Sequence, residues 1–243
     1  VGLFSASYQA MAALTGLASS ISMLLAAKLI DMKITDPDTE KDYLARIVPT
    51  VLSLWLMMII PLLIFIPWFF TIAFGSEFSQ AIPTLLILCG GVPCSIFTAV
   101  YIVLFQTQGR LGRSSFFGGV MFAFNIIISL ALVVEFGGIG VAVGTTVSYF
   151  IWQYLYLVDQ HKLLNIPQKR ALIFLFFSIL YGLIQIPMGE GLAFRTGGAL
   201  IGFSCLILII RHYKMVDRAI LENLFSGKFS RFHPHFFRLL IRD

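Results

Sequence analysis

Charge is what this chain has least of. Only 12% of its 243 residues are Asp, Glu, Lys or Arg, against 58% hydrophobic, and its mean hydropathy of +0.91 lies outside the range of soluble globular domains. Histidine is nearly as scarce, at four residues, and cysteine numbers three. Seven stretches carry no Asp, Glu, Lys, Arg or His at all: residues 1–27, 47–76, 78–109, 114–134, 136–158, 171–189 and 196–210. Enzymes that work inside membranes place a nucleophile, an acid–base pair or a metal set in their spans or in sizeable loops. These runs hold no Asp, Glu, His, Lys or Arg to serve as acid, base or ligand, and the links between them are short, which disfavours glycosyl transfer, acyl transfer and intramembrane proteolysis. No cofactor signature is present and no metal-ligand spacing stands out. His233 and His235 flank a proline without a Cys or carboxylate partner. Cys89, Cys94 and Cys205 fall inside apolar runs, where a thiol serves as small packing.

What is present is a series of membrane-length runs. All but the last reach the roughly 20 residues that cross a hydrocarbon core about 30 Å thick. The last, 196–210, rises only about 22 Å as a helix. It requires Arg195 to snorkel or residues 192–194 to enter the membrane, unless it forms a re-entrant segment. The predicted fold class is therefore all-α, a polytopic bundle of about seven spans. Its parts are a five-helix lobe (1–158), two additional helices (159–210) and a basic tail (211–243).

If all seven runs cross, sixteen of the seventeen Lys and Arg residues fall on one side and Arg195 stands alone on the other, beside Glu77, Glu135 and Glu190. That asymmetry puts the basic side in the cytoplasm. It also explains the net charge of +5 without nucleic acid. The polar stretch "FTIAFGSEFSQAIPTL" then becomes an outer turn, and the tail, which mixes phenylalanines with basic residues, lies against the anionic inner leaflet. "DMKITDPDTEKDYLARIVP" reads as a solvated cytoplasmic connector turned at Pro37. The chain opens inside an apolar run, so an upstream portion is expected.

Interruptions and small residues shape the spans. Pro61, Pro67 and Pro93 each remove a backbone donor and favour kinks. Gly138, Gly140, Gly144 and Ala142 give the fifth run a smooth face for close helix approach. Neutral polar residues inside the runs are candidates for a hydrated pathway or for helix-to-helix bonds. They are Asn125 first, then Tyr8, Gln9, Tyr101, Gln106 and Gln153, with Gln185 beyond them. Lys28, Arg46, Arg110 and Arg113 ring the inner mouth, where guanidinium forks and an ammonium can hold phosphate or act only as the topology signal.

Four segments resemble one family. They are "VGLFSASYQAMAALTGLASSI"; "IVPTVLSLWLMMIIPLLIFIPWFFTIAFGSEFSQAIPTLLIL" with its FG-aromatic-Ala turn; "VLFQTQGRLGRSSFFGGVMFAFNIIISLALV"; and "FGGIGVAVGTTVSYFIWQ". In order and spacing they are similar to the C-terminal portion of bacterial polysaccharide exporters of the MOP superfamily, the Wzx-type flippases of O-antigen and related repeat units. The resemblance covers about residues 1–158. It implies a transporter of the bacterial inner membrane, with a cytoplasmic C-terminus, that moves lipid-linked oligosaccharide by alternating access for surface polysaccharide and lipopolysaccharide synthesis. The implied partners are the bilayer, that lipid-linked cargo and other polysaccharide-assembly membrane proteins. The related MATE-type antiporters of organic cations are the alternative, and they need a buried carboxylate. None is visible in the seven runs, which also lack the charged cleft residues the family leads one to expect.

Overall fold

The computed structural model describes residues 2–35, 37–164, 169–185 and 192–217, with side chains at 2–20, 45–92, 94–163, 169–181 and 196–217. All regular structure among them is helical: α1 (Gly2–Thr35), α2 (Pro37–Phe74), a short 3₁₀ turn (Ser76–Ala81), α3 (Ile82–Cys89), α4 (Val92–Thr107), α5 (Leu111–Leu164), α6 (Lys169–Gln185) and α7 (Leu192–His212). Two stretches, Ala45–Phe74 and Leu111–Leu163, are long and apolar enough to cross a membrane, and a third qualifies if α3 and α4, meeting at 45°, count as one broken span.

The expected connector is not a loop. α1 runs on to Thr35 and α2 begins at Pro37, so helix occupies nearly all of it. The physical reason is composition: Lys, Glu, Leu and Ala favour helix, and a proline at the first helical position loses only a donor that has no intrahelical acceptor. α7 likewise exceeds its apolar run. Its 21 residues include Arg195 and the three residues before it and rise about 31 Å.

α5 spans 54 residues but is not one rod. Gly137, at φ 55 and ψ −131, lies outside helical space, a conformation glycine adopts without a Cβ clash. Residues 111–136 fold back antiparallel on residues 138–164. Asn125 Nδ2 donates to Thr145 Oγ1 at 3.2 Å, Ser114 and Tyr156 hydroxyls share a 2.8 Å bond, and Gly144 faces Ser129. The arms meet where the fifth run carries its small residues, as membrane packing demands.

The break between α3 and α4 falls within an apolar stretch, and neighbours bond the carbonyls beside it, as irregular backbone away from water requires. Between α3 and α4, the Ile87 carbonyl accepts from Thr146 Oγ1 at 2.9 Å, and Val92 O accepts from Ser95 Oγ at 2.7 Å and Trp55 Nε1 at 3.4 Å. A Cβ at Gly91 would stand 3.3 Å from Leu88 O and 3.5 Å from the Tyr149 ring, so glycine lets the second arm of α5 press against the break. In α2, which stays helical through Pro61 and Pro67, Thr71 Oγ1 donates to Pro67 O at 2.9 Å.

The bundle has two chemically distinct ends. At one, Ser7 Oγ donates to Ala81 O at 3.1 Å and Gly138 lies beside Phe4 and Thr84, near exposed Glu77 and Glu135. The other is tied by Arg46 to Asp217 at 3.7 Å, by Thr50 Oγ1 to Met215 O at 3.3 Å, and by Arg110 to Asp159 at 3.0 Å. His161, Lys169 and Tyr213 line one depression there. The remaining cations whose side chains are described, Arg113, Lys162, Arg170, Arg211 and Lys214, sit within a turn of these residues.

Candidate functional site

A cavity of about 590 Å³ opens between α1, α4 and the second arm of α5. α4 supplies its longest wall. Ser95, Thr98, Ala99, Ile102, Val103 and Gln106 follow one helical face at three- and four-residue steps, a stripe about 16 Å long. Gln106, the exposed end of that stripe, is one turn from Arg110, so the cavity runs toward the cationic end. Thr15 and Ser19 face it from α1, and Tyr149 and Trp152 from α5.

The lining is polar without being charged. Thr15 Oγ1 donates back to Ala12 O at 2.9 Å and Ser95 Oγ to Val92 O at 2.7 Å, which leaves both hydroxyl oxygens as acceptors. Thr98 Oγ1 receives the Gln153 amide N–H and keeps its own proton to donate. The Trp152 indole N–H approaches the Tyr156 hydroxyl too loosely for a hydrogen bond and stays buried without a partner, as does Gln153 Oε1. An unpaired buried donor and acceptor are costly; both lie behind the lining rather than in it. Ring faces of Tyr149 and Trp152, 6.3 Å apart at 32°, complete the wall.

Below the cavity lies an aromatic stack and then an ion cluster. Trp152 packs on Tyr156 at 5.5 Å, and Tyr156 packs on Phe105 at 5.1 Å and Phe117 at 5.8 Å. Over those two rings sit the Arg110 and Arg113 guanidiniums, 5.6 and 5.8 Å from the centroids. Both engage Asp159, whose side chain is only 4% exposed: Arg110 Nη1 to Oδ2 at 3.0 Å and Arg113 Nε to Oδ1 at 2.5 Å. The Gln108 and Gln160 amides pair reciprocally alongside, at 3.3 and 3.4 Å. Gly109, at φ 69, turns the chain so that Arg110 N reaches Phe105 O at 2.8 Å, a helix C-terminus closed in the manner glycine permits.

The sequence candidates disperse. Gln106 lines the cavity, Gln153 stands one hydrogen bond behind Thr98, and exposed Tyr8 lies beside the Tyr149 hydroxyl. Tyr101 is buried between Phe97 and Tyr156. Gln9 is exposed outside the lining. Asn125 joins the arms of α5, accepting from Ser129 Oγ at 3.3 Å as well as bonding Thr145. Of the inner-mouth cations, Arg46 pairs with Asp217 and Arg110 and Arg113 clamp Asp159. The side chains of Lys28 and Gln185, and the His233 and His235 region, lie outside the described residues.

Sequence reasoning missed Thr15, Ser19, Ser95, Thr98, Tyr149, Trp152 and Asp159. The available signal was the helical row of small hydroxyls from Ser95 on α4, matched by the Thr15–Ser19 pair one turn apart on α1. No protein-family model matches this sequence, and comparison with curated proteins and with solved structures found no match.

Proposed function

We propose that this chain forms a wall of a membrane pathway for lipid-linked oligosaccharide, acting as a flippase rather than as an enzyme. The observation that carries the reading is the uncharged, hydroxyl-rich, aromatic cavity between α1, α4 and α5. A sugar offers hydroxyls that both donate and accept, and flat C–H faces that stack on rings. The lining offers acceptors at Thr15 and Ser95, a donor at Thr98, and the rings of Tyr149 and Trp152. A carboxylate or cation in that place selects charged cargo instead.

In this reading the seven apolar runs cross the bilayer in alternating directions, with the two arms of α5 as separate crossings and α3 and α4 as one broken crossing. The cationic end faces the cytoplasm of a bacterial inner membrane. The cavity then opens to the inner leaflet, where cargo carrying a sugar head and an acyl tail is loaded. Asp159 supplies the buried carboxylate that the antiporter reading requires, but two arginines already neutralise it and it stands outside the lining. That favours the flippase.

The test is transport of a fluorescently labelled lipid-linked oligosaccharide in proteoliposomes. Thr98→Val and Trp152→Ala are each expected to slow it about three- to tenfold, the worth of one hydrogen bond or ring contact. Asn125→Ala is expected to leave the rate unchanged while lowering stability by about 0.6 kcal/mol. Transport that survives the first two and fails with the third relocates the pathway to the hairpin.

A further inference from the structure

A second cavity, of about 730 Å³, lies at the cationic end between the close of α5, the start of α6 and the end of α7. Its lining changes character with depth. His161, Lys169 and Tyr213 form a polar rim; Leu172, Phe176 and Ile209 form an apolar wall. On α6 the progression Lys169, Leu172, Phe176 follows one face at steps of three and four residues and descends about 10 Å from the end of the bundle. Phe176 is 68% exposed and Leu172 is 42% exposed, so this wall is continuous with the surface that lipid covers.

The charge on the rim comes from Lys169, at the start of the described part of α6. Among the described side chains, the acids at this end are already engaged: Asp159 by Arg110 and Arg113, and Asp217 by Arg46. No described carboxylate lies within ion-pair distance of Lys169 or Arg170. Lys169, His161 and the Tyr213 phenol converge on this cavity, and an anion seated there would meet the Lys169 ammonium.

We infer that this cavity is a binding site for an anionic phospholipid of the leaflet that the cationic end faces. The phosphate meets Lys169 and Tyr213 at the rim, and an acyl chain lies along Leu172, Phe176 and Ile209. Basic pockets between membrane helices at the cytoplasmic surface hold lipid headgroups in this manner. A free phosphate uses the rim and leaves the apolar wall bare, which is why a lipid is the better match. The inference rests on the membrane topology proposed above but not on the cargo of the first cavity, and lipid retention is measured without transport.

The experiment is native mass spectrometry of the full chain in detergent micelles, with phosphatidylglycerol or phosphatidylcholine added. Phosphatidylglycerol should be retained preferentially, and Lys169→Gln should lower its retention roughly fivefold. Ile209→Trp, which fills the wall and leaves the charges in place, should also displace it, whereas Lys162→Gln, outside the lining, should not. Glycerol 3-phosphate should fail to compete. Equal retention of the two lipids, or undiminished phosphatidylglycerol in Lys169→Gln, overturns the inference. So does displacement by glycerol 3-phosphate, which marks a phosphate site, and so does lipid binding that emerges only after residues 218–243 are removed, which makes the tail the occupant.

Discussion

Asp159→Ala is expected to destabilise the chain by about 2–3 kcal/mol and to slow transport with it. Removing one member of a buried ion pair costs about 3–5 kcal/mol because the other is left uncompensated. Here the figure is discounted because the Arg110 and Arg113 side chains are 26% and 53% exposed against 4% for Asp159. The carboxylate holds together the start and the end of α5 and the turn that follows α4. Without it, two guanidiniums repel across the space it occupied. They also sit on Phe105 and Phe117, which pack on Tyr156 and through it on Trp152 in the cavity wall. The loss therefore propagates from the ion cluster to the indole that lines the cavity. Arg113→Gln, at the half-exposed member, should cost under about 1 kcal/mol. Thermal unfolding in detergent and a double-mutant cycle between Arg110 and Asp159 measure both. An Asp159→Ala variant that melts with the wild type would show that the cluster is an incidental surface arrangement.

Gly140→Leu is expected to be at least as damaging, at about 3 kcal/mol, the upper range for overpacking. A Cβ at Gly140 would lie 2.5 Å from Leu132 O and 2.6 Å from Leu132 C. Both are backbone atoms, so no side-chain rotation relieves the clash and the arms of α5 must separate. Separation strands the Asn125–Thr145 bond in lipid and removes the close contact that drives membrane helices together. Gly144→Ala should be milder but still unfavourable, since its new atom meets Ser129 Oγ at 2.4 Å, which can rotate, and Ser129 N at 2.9 Å, which cannot. Gly118→Ala is the control: nothing lies within 4 Å of its Cβ, and helix propensity favours the change by up to about 1 kcal/mol. Unfolding in micelles orders the three. Equal melting of Gly140→Leu and Gly118→Ala would mean that the arms do not touch.

The outline of this fold is written in the placement of charge. Where Lys, Arg, Asp and Glu stop, helix follows, and in two or three places it is long and apolar enough to cross a membrane, because a charge in hydrocarbon costs more than packing returns. The break at Gly137 was legible in "EFGG", and the close packing of the arms in Gly140 and Gly144. The connector was not, because a stretch rich in both charge and strong helix formers suits a solvated loop and an extended helix equally well.

The cavity was legible only at its amides. Gln106 and Gln153 are conspicuous in an apolar run, but Thr98 and Ser95 are not. Ser53, Ser148 and Ser178 look the same in sequence and serve only to bond a carbonyl on their own helix. Which hydroxyls face a cavity depends on which helices adjoin, and that is tertiary information. Tyr101 shows the converse, a polar-tipped residue drawn into the aromatic core by its ring. Asp159 escaped notice because it sits at the boundary of an apolar run, where an acid ordinarily marks a helix end in water.

The most direct test of the alternating topology is labelling of single cysteines with a membrane-impermeant maleimide in intact bacterial cells, after replacing Cys89, Cys94 and Cys205. Glu77→Cys and Glu135→Cys, at the acidic end, should react from outside, and Lys162→Cys, at the cationic end, only after the membrane is permeabilised. If Glu135→Cys and Lys162→Cys react from the same side, the arms of α5 do not cross the bilayer and the proposed pathway is lost with them.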